Sequence, residues 1–558
     1  MVVPVNWLGN KNPMVELEFQ QKTKTLIDSL KNICANYGLG NDGNEFKIIT
    51  QTFLYKFLND KFAFEAKKID DNIAKADKWE EVLVGMSEDD LDMLQLQMGG
   101  DTARLKPQHF ISYLFGQQNA PDFAKLFDDT LIDIAITNND VFAVKTDGGA
   151  KVVLFDRISQ YIADDSKRDA FCRAIINKLV EFSFERIFTQ KFDFYATIFE
   201  YLIKDYNSNS GGKYAEYFTP HAVARIMAEI LVPQEQRGTV RNVSCYDPSA
   251  GSGTLLMNVA HAIGENRCSI YTQDISQKSS NLLRLNLILN NLVHSIPNVI
   301  QGNTIQHPYH KDVDTLKRFD YIVSNPPFKL DFSDFRDELD NKENKDRFFA
   351  GIPKAPAKAK DKMAIYSLFL QHIIASLKPN GKAAVVVPTG FITAQSGIDK
   401  KIREHLVKNK MLAGVVSMPS NIFATTGTNV SILFIDASND GDVILVDASN
   451  LGEKVKDGKS QKTVLTADEE KKIIDVFNAK ESIEDLSVAI SYDDIEAKNY
   501  SLSAGQYFDV KIEYVNITPE QFAEKMQGFT NNLDNLFSQS SELEAEIKKQ
   551  LAGLKFNG

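Results

Sequence analysis

Short runs of β-branched and aromatic residues alternate with segments of helical periodicity between residues 242 and 435. Nearly continuous apolar runs are typical of strands that are buried on both faces, and helices between such strands are typical of parallel crossovers. The pattern therefore predicts an α/β fold with a doubly wound, mostly parallel sheet. We expect strands at 242–246, 269–273, 320–324, 382–387, 413–417 and 430–435, and helices at 254–263, 277–289 and 365–377.

The segments on either side of this region are predicted to be mainly helical. In the N-terminal part, Ile49, Phe53 and Phe57 recur every four residues, which is the spacing of one face of an amphipathic helix. No catalytic constellation is visible in this part of the sequence. We predict a helical N-terminal domain at 1–189, the α/β domain at 190–440 and a C-terminal region with a helical tail at 441–558.

The helical tail is predicted to carry a coiled-coil-like seam. Thr518 and Pro519 provide an N-cap and a first helical residue. Apolar residues then follow in alternating steps of four and three, as in a heptad repeat, and only Ser540 and Gln550 interrupt the pattern. These residues are Phe522, Met526, Phe529, Leu533, Leu536, Leu543, Ile547 and Leu554. The seam could pack against the chain's own body or against a partner, and the sequence leaves both open.

Charge and composition limit the classes of partner. The 558 residues carry a formal net charge of −12, so binding to DNA would require a clustered basic face or a partner that supplies basic contacts. No apolar stretch approaches the roughly eighteen residues of a membrane span, and no signal peptide is recognisable, so we expect a cytoplasmic protein without a membrane partner. The four cysteines are scattered, and His307 and His310 lack further ligands, so no disulfide framework and no metal site are predicted.

Residues 340–362 form a long insertion that is rich in charge, proline and alanine. Long segments without regular structure inside a compact domain are usually functional lids or are disordered. The insertion carries lysines at 354, 358, 360 and 362. These lysines could approach phosphates when the insertion closes over a substrate, or they could belong to a solvated loop.

The first predicted strand ends in a glycine-rich turn that leads into a helix. The turn reads Asp247-Pro248-Ser249-Ala250-Gly251-Ser252-Gly253. Gly251 and Gly253 let the backbone turn tightly and leave room for a ligand to lie against it. An acidic residue at the end of the strand suits a ligand with an ammonium group, so we predict that Asp247 and the turn bind one.

The second predicted strand also ends in an acidic residue, Asp274, which lies 27 residues after Asp247. A carboxylate at this position of an open α/β sheet accepts hydrogen bonds from the hydroxyl groups of a ribose. We therefore predict that Asp274 binds a ribose, although a single Asp at the end of a strand can also serve only as a turn residue.

The third predicted strand stops at Asn325-Pro326-Pro327-Phe328, where two prolines force the chain to turn. The side-chain oxygen of Asn325 and the carbonyl oxygen of Pro326 can each accept one N–H of an exocyclic amine. Such contacts free the nitrogen lone pair for in-line attack on a sulfonium methyl, so positioning replaces a strong base. Phe328 provides a flat face for a base that has swung out of a duplex. These four residues are the predicted catalytic group.

Together, the NPPF and DPSAGSG motifs resemble those of DNA amino-methyltransferases in which the cofactor motif precedes the catalytic one. The segment GGKYAEYFTPHAVARIMAEIL at 211–231 is similar to the corresponding segment in modification (M) subunits of type I restriction–modification enzymes. A second similar stretch runs from Arg347 through FLQHIIASLKPNGKAAVVVPTGF to ATTGTNVSILFI. The resemblance covers most of residues 190–440 and implies S-adenosylmethionine as cofactor and N6 of a flipped adenine as methyl acceptor.

The resemblance also implies roles for individual residues. The cofactor's methionine end would be lined by Glu216, Tyr217, Phe218, Thr219, Pro220 and His221, and the turn against it would be formed by Ser249, Ala250 and Gly251. Asp274 would bind the ribose, and Asn303 would lie near the cofactor's adenine. The chain departs from the family's pattern in two places. Asn303 stands where an Asp is common, and His221 stands where an Arg is common.

The partners implied by the resemblance are double-stranded DNA, a specificity (S) subunit, a second copy of the chain and a restriction (R) subunit. An S subunit that reads the DNA would account for the acidic charge of this chain, and the heptads could contact its helices. Three alternatives remain open from the sequence: a stand-alone adenine methyltransferase, a methyltransferase for glutamine in proteins, and a non-catalytic scaffold. The Phe at position 328 argues against the second, which usually has Tyr there.

Overall fold

The structure is a computed structural model, and it describes residues 13–40, 43–185, 188, 219–423, 429–457, 460–508 and 518–553. The chain divides into two compact units, Met1–Tyr507 and Phe508–Gly558. Glu216, Tyr217 and Phe218 lie outside the described residues, as does the last heptad position, Leu554.

The N-terminal part is helical, as predicted, but it also contributes a short β-hairpin. Ile49, Phe53 and Phe57 lie on one helix and are buried in the core. The elements are α1 (Pro13–Asn36), α2 (Gly43–Ile69), α3 (Asp71–Lys75), α4 (Trp79–Val84), α5 (Glu88–Gln97), α6 (Ile111–Gly116), α7 (Phe123–Thr137), α8 (Asn139–Phe142), β1 (Val144–Thr146), β2 (Lys151–Val152) and α9 (Asp165–Val180).

The next elements confirm the predicted alternation, with each predicted strand and helix present to within a few residues. They are α10 (His221–Leu231), β3 (Val243–Asp247), α11 (Thr254–Ile263), β4 (Cys268–Asp274), α12 (Gln277–Leu289), β5 (Val299–Gln301), β6 (Lys311–Asp312), β7 (Thr315–Leu316), β8 (Phe319–Ser324), α13 (Tyr366–Ala375), β9 (Leu377–Pro388), α14 (Thr389–Thr393), α15 (Gly397–Lys408), β10 (Leu412–Ser417) and β11 (Val430–Asp436). The C-terminal region adds β12 (Val443–Asp447), β13 (Glu453–Asp457), β14 (Ser460–Val464), α16 (Ala467–Ala479), β15 (Ser487–Ile490), α17 (Tyr492–Ala497) and α18 (Pro519–Gly553).

Among the described residues, eleven strands form one sheet in the order β15-β12-β10-β11-β9-β8-β3-β4-β5-β1-β2. The five neighbouring strands β8, β3, β4, β5 and β1 are mutually parallel, whereas β11 is antiparallel to both of its neighbours. The carboxyl ends of these five strands therefore meet at one edge of the sheet, which is where open α/β sheets bind ligands. The β1–β2 hairpin extends the sheet beyond the region that was predicted to form it.

The insertion at 340–362 is anchored to a small apolar core, which the sequence did not predict. Phe348 of the insertion is buried in this core together with residues from the loop after β5, the segments on either side of the insertion and α13, namely Ile305, Phe332, Leu339, Met363, Ile365, Leu368 and Phe369. The side chains of the lysines at 354, 358, 360 and 362 are exposed. The insertion is thus a packed loop that presents lysines to solvent.

The C-terminal helix α18 begins as predicted, because Thr518 Oγ1 accepts a hydrogen bond from the backbone N–H of Gln521 and the Gln521 side chain accepts one from the backbone N–H of Thr518. Its described heptad residues, from Phe522 to Ile547, are between 48% and 61% exposed. Within the ranges that the structure describes, no helix combines the length and the apolar character that crossing a membrane requires.

Candidate functional site

Asp247 lies at the carboxyl end of β3 and is only 1% exposed. Its Oδ1 accepts hydrogen bonds from the Ser249 backbone N–H, at 2.9 Å, and from Ser324 Oγ, at 3.0 Å. Burial raises the pKa of Asp247 to about 7, although these hydrogen bonds oppose the rise. A buried carboxylate with so few compensating donors provides a favourable position for an ammonium group.

Asp274 lies at the end of the neighbouring strand β4 and holds the glycine-rich turn in place. One carboxylate oxygen accepts from the Gly251 backbone N–H, at 2.9 Å, and the other accepts from the Ser276 backbone N–H, at 2.8 Å. Burial raises the pKa of Asp274, and the two backbone hydrogen bonds oppose that effect. Each oxygen retains a further lone pair, so the carboxylate can still accept a hydrogen bond from a ribose hydroxyl.

The glycine-rich turn requires glycine at two positions. Gly251 and Gly253 both have positive φ, at 53° and 87°. A Cβ on Gly253 would also clash with the side chain of Leu283 on α12. Gly253 therefore allows the turn to pack closely against α12. It does not line the pocket that joins the cofactor and catalytic motifs.

One pocket joins the cofactor and catalytic motifs. Its lining residues are Thr219, Asp247, Ser249, Ala250, Gly251, Ser252, Thr254, Leu255 and Asn325. The pocket has a buried carboxylate at one side, and the N-terminus of α11 lies beside it, with N–H groups that favour a carboxylate ligand. A carboxylate acceptor next to N–H donors fits an amino acid that has an ammonium group and a carboxylate group, as the methionine part of S-adenosylmethionine does.

The Asn325 side chain is oriented by Thr219. Asn325 Nδ2 donates a hydrogen bond to Thr219 Oγ1, at 3.2 Å. The amide nitrogen is thereby engaged, and the amide oxygen of Asn325 remains available as an acceptor. In the adjoining residues, Pro326 is buried and Pro327 is exposed, while the half-buried Phe328 ring lies 6.2 Å from the Tyr366 ring in an edge-to-face arrangement.

Asn303, predicted near the cofactor's adenine, already has a local partner. Its Oδ1 accepts hydrogen bonds from the backbone N–H groups of Ile305 and Gln306, at 3.1 Å and 3.2 Å. The side-chain oxygen thus caps the turn after β5. His221 lies at the start of α10 and, like Asn303, does not line the pocket; its buried Nδ1 has no hydrogen-bond partner among the described residues.

Ser324 and Arg347 are site residues that the sequence interpretation missed. Ser324 Oγ contacts both Asp247 and Ser249 Oγ, the latter at 2.7 Å, and so joins the two motifs. A serine at the end of an apolar strand gives little warning of this role. Arg347 was noticed only as the start of a similar stretch, because it stands in a segment where charged residues are common.

Arg347 ties the insertion to the loop after β5. Its guanidinium is buried and donates to the carbonyl oxygens of Thr304 and Ile305, at 2.7 Å and 2.8 Å, and to His372 Nδ1, at 3.0 Å. Burial lowers the pKa of Arg347 to about 10. Thr304 Oγ1 in turn donates to the carbonyl of Pro248, at 2.7 Å, so the insertion, the β5 loop and the glycine-rich turn form one connected unit.

Comparison with known proteins gives consistent matches. The model of the family described as N-6 DNA Methylase matches residues 190–514. The type I restriction enzyme MpnII methylase subunit of Mycoplasma pneumoniae is 27% identical over 370 residues, which cover 65% of this chain and 64% of that protein. The corresponding HindI subunit of Haemophilus influenzae is also 27% identical, over 65% of this chain and 79% of its own length. The match thus spans less than two thirds of the Mycoplasma relative.

Among solved structures, the methyltransferase subunit of a type I restriction-modification system from Streptococcus thermophilus is similar to this chain. The TM-score is 0.67 at 20% identity, and the match covers 88% of this chain and 100% of that one. A modification subunit of a type I restriction enzyme from Vibrio vulnificus matches with a TM-score of 0.50 at 20% identity, over 85% of this chain and 93% of that one. These likenesses confirm the predicted doubly wound α/β fold with helical flanks.

Proposed function

Because the chain belongs to the N-6 DNA methylase family, we propose that it methylates N6 of adenine in duplex DNA. S-adenosylmethionine is the proposed cofactor, and it supplies an activated methyl group on a positively charged sulfur. In the balanced reaction the methyl leaves sulfur and bonds to nitrogen, one amine proton is released, and the products are N6-methyladenine and S-adenosylhomocysteine. We place the chain in a type I restriction–modification system of the cytoplasm, as its modification subunit.

The observation that supports this proposal best is the position of Asn325 in the same pocket as Asp247 and the glycine-rich turn. Asp247 is the proposed partner of the cofactor's ammonium group, and the turn and Asp274 bind its remaining polar groups. The oxygen of Asn325 and the carbonyl of Pro326 accept the two N–H groups of the target amine. Phe328 stacks against the flipped base. The rate arises from positioning and from acceptors that are already oriented.

Thr219 acts through Asn325, since its hydroxyl oxygen holds the amide nitrogen. Replacing Thr219 by Val keeps the shape and removes the acceptor, so we expect kcat to fall about tenfold, as the loss of one hydrogen bond implies. Thr219→Ser keeps the hydroxyl and should retain most of the activity. Steady-state kinetics on DNA should show the loss in kcat and not in the KM for DNA. Equal kcat values for the Val and Ser variants would contradict this role.

The raised pKa of Asp247 predicts that cofactor binding depends on pH. Below about pH 7 the carboxyl group is mainly protonated in the ligand-free protein, and an ammonium ligand must bind the ionised form. We therefore expect the affinity for S-adenosylhomocysteine to rise by up to about tenfold per pH unit below pH 7 and to level off above it. Calorimetry from pH 5.5 to 8.5 would measure this. The same pH profile in Asp247→Asn would assign the titration to another group.

An S subunit is the proposed partner of the C-terminal helix α18. The apolar heptad residues from Phe522 to Ile547 are about half exposed and repeat along the helix, as in helices that pair with other helices. Two copies of the chain on one S subunit are the proposed assembly. A DNA-reading partner would account for the chain's net charge of −12, and the exposed lysines of the insertion can approach phosphates. A restriction subunit would supply cleavage.

The proposal is tested by methyl transfer from labelled S-adenosylmethionine to genomic DNA. The purified chain is assayed alone and then together with a candidate S subunit. Label in N6-methyladenine only when both proteins are present is the expected result. Site-specific transfer by the chain alone would indicate a self-contained enzyme. Cofactor binding without transfer in either assay would overturn the proposed substrate.

A further inference from the structure

The β1–β2 hairpin brings a further carboxylate to the edge of the sheet where the cofactor is proposed to bind. Strands β3, β4, β5 and β1 are adjacent and parallel, so the residues that follow them lie in a row at one edge. From the proposed ammonium site outward, the acidic residues in this row are Asp247, Asp274 and Asp147. Asp147 belongs to the N-terminal part of the sequence, in which no site residue was predicted.

The backbone holds Asp147 firmly in the turn of the hairpin. Its N–H donates to the carbonyl of Gln301 at the end of β5, at 2.9 Å. The turn itself is closed by hydrogen bonds from the N–H of Gly149 to the carbonyl of Thr146, at 2.9 Å, and from the N–H of Thr146 to the carbonyl of Ala150, at 2.8 Å. Asp147 is therefore attached to the parallel strand ends and does not belong to a loose loop.

The Asp147 side chain lies directly against Gly302, the first residue after β5. A Cβ at position 302 would come within 2.5 Å of Asp147 Oδ2 and within 2.6 Å of its Cβ and Cγ. Only glycine leaves space for the Asp147 side chain in this arrangement. The N–H of Gly302 donates to the carbonyl of Asp274, at 2.9 Å, so the same glycine lies between the two acidic residues.

Asp147 provides an acceptor that the loop after β5 does not offer. The Asn303 side-chain oxygen already accepts hydrogen bonds from the backbone N–H groups of Ile305 and Gln306. The group of this side chain that remains available to a ligand is its amide NH2, which is a donor. The Asp147 carboxylate is exposed, and no donor within the described ranges pairs with it. A ligand base whose amino group lay next to Asp147 would need an acceptor for that amino group, and the Asp147 carboxylate can serve as one.

We infer that Asp147 accepts a hydrogen bond from the exocyclic amine of the cofactor's adenine. This inference rests on the proposed function, in which Asp247 binds the ammonium group and Asp274 the ribose. The base then continues along the row toward β5 and β1, where successive strands are about 4.8 Å apart. Asp147 thus makes the site specific for a 6-aminopurine cofactor, and the N-terminal hairpin becomes part of the cofactor site.

The test compares two ligands by calorimetry on the full chain. One is S-adenosylhomocysteine, and the other is S-inosylhomocysteine, in which a carbonyl oxygen replaces the amine. Asp147→Ala should weaken S-adenosylhomocysteine binding about tenfold, as expected for a hydrogen bond to a charged group near solvent. The variant should leave S-inosylhomocysteine binding unchanged or strengthen it. Gly302→Ala should give the same selective loss, because the new methyl group displaces Asp147.

The matched control is Asp140→Ala, which removes an exposed Asp whose carboxylate pairs with Lys151 on β2, at 2.7 Å. It should leave the ratio of the two affinities unchanged. If Asp147→Ala lowers the affinity for both ligands equally, or for neither, the inference is overturned. The proposed function would still be supported in that case, provided that the wild-type chain binds S-adenosylhomocysteine. Failure of the wild-type chain to bind S-adenosylhomocysteine at all overturns both proposals.

Discussion

Replacing Asn325 by Ala is expected to lower kcat for DNA methylation by about a thousandfold, the upper end of what one positioned catalytic hydrogen bond contributes. Its amide is held by Thr219 through the nitrogen, so the oxygen is already oriented before the target amine arrives. Removing it leaves the amine nitrogen with only the Pro326 carbonyl as acceptor and its lone pair still delocalised. Single-turnover measurements with saturating cofactor and DNA would give the loss directly.

The control for Asn325→Ala is the affinity of the same variant for S-adenosylhomocysteine. Asn325 is half-buried at the rim of the pocket, so the cofactor Kd should change by less than about threefold. A thousandfold loss of kcat with an intact Kd separates catalysis from binding. If the variant kept more than a tenth of the wild-type rate, Asn325 would not be the catalytic acceptor, and another acceptor for the amine would have to be sought.

Asp247→Asn is expected to raise the Kd for S-adenosylmethionine by about a hundredfold or more. Truncating or neutralising one partner of a buried charge pair costs about 2–5 kcal/mol, because the other charge is left unpaired. Asp247 is buried, and among the described residues its carboxylate accepts hydrogen bonds only from Ser249 and Ser324. Fluorescence or calorimetric titration with the cofactor would measure the change, and thermal unfolding would show whether the variant remains folded.

Ser324→Ala provides the matched control for Asp247→Asn. It removes one hydrogen bond to the same carboxylate and leaves the charge in place, so the loss of affinity should stay within about tenfold. If Asp247→Asn bound the cofactor as well as the wild-type chain does, the ammonium group would have to bind elsewhere in the pocket. If both variants lost affinity equally, Asp247 would act by holding the turn and not by its charge.

The sheet was largely predictable because buried parallel strands leave a strong pattern in the sequence. The runs around Tyr246 and Val323 are mostly apolar, and helices of ordinary length lie between the strands. Strands β1 and β2 left no such pattern, since they are two or three residues long and contain lysines at 145 and 151. Their place in the sheet depends on pairing with β5, which is distant in sequence, and no local propensity reports such a contact.

The pocket was predictable where a motif follows a strand end. Six predicted residues line it, namely Thr219, Asp247, Ser249, Ala250, Gly251 and Asn325. Parallel strands bring the ends of β3 and β8 to the same edge, so motifs that are 78 residues apart meet there. Ser324, Arg347 and Asp147 were missed because their roles depend on contacts with residues that are distant in sequence: Asp247 for Ser324, the carbonyl groups of Thr304 and Ile305 for Arg347, and Gly302 for Asp147. Contacts of this kind do not recur at regular intervals, so they leave no pattern in the sequence.

The attachment of β1 to β5 has a consequence for how the chain can be divided. The family match begins at residue 190, and a fragment that started there would be the obvious choice for expression. Such a fragment would lack 144–152 and would leave the backbone of β5 unpaired at an open edge of the sheet, where a second molecule can add its own strand. Gene fusions and minimal versions of this chain should therefore keep the hairpin together with the sheet, even though 90 residues, including α9 and α10, separate β2 from β3 in the sequence.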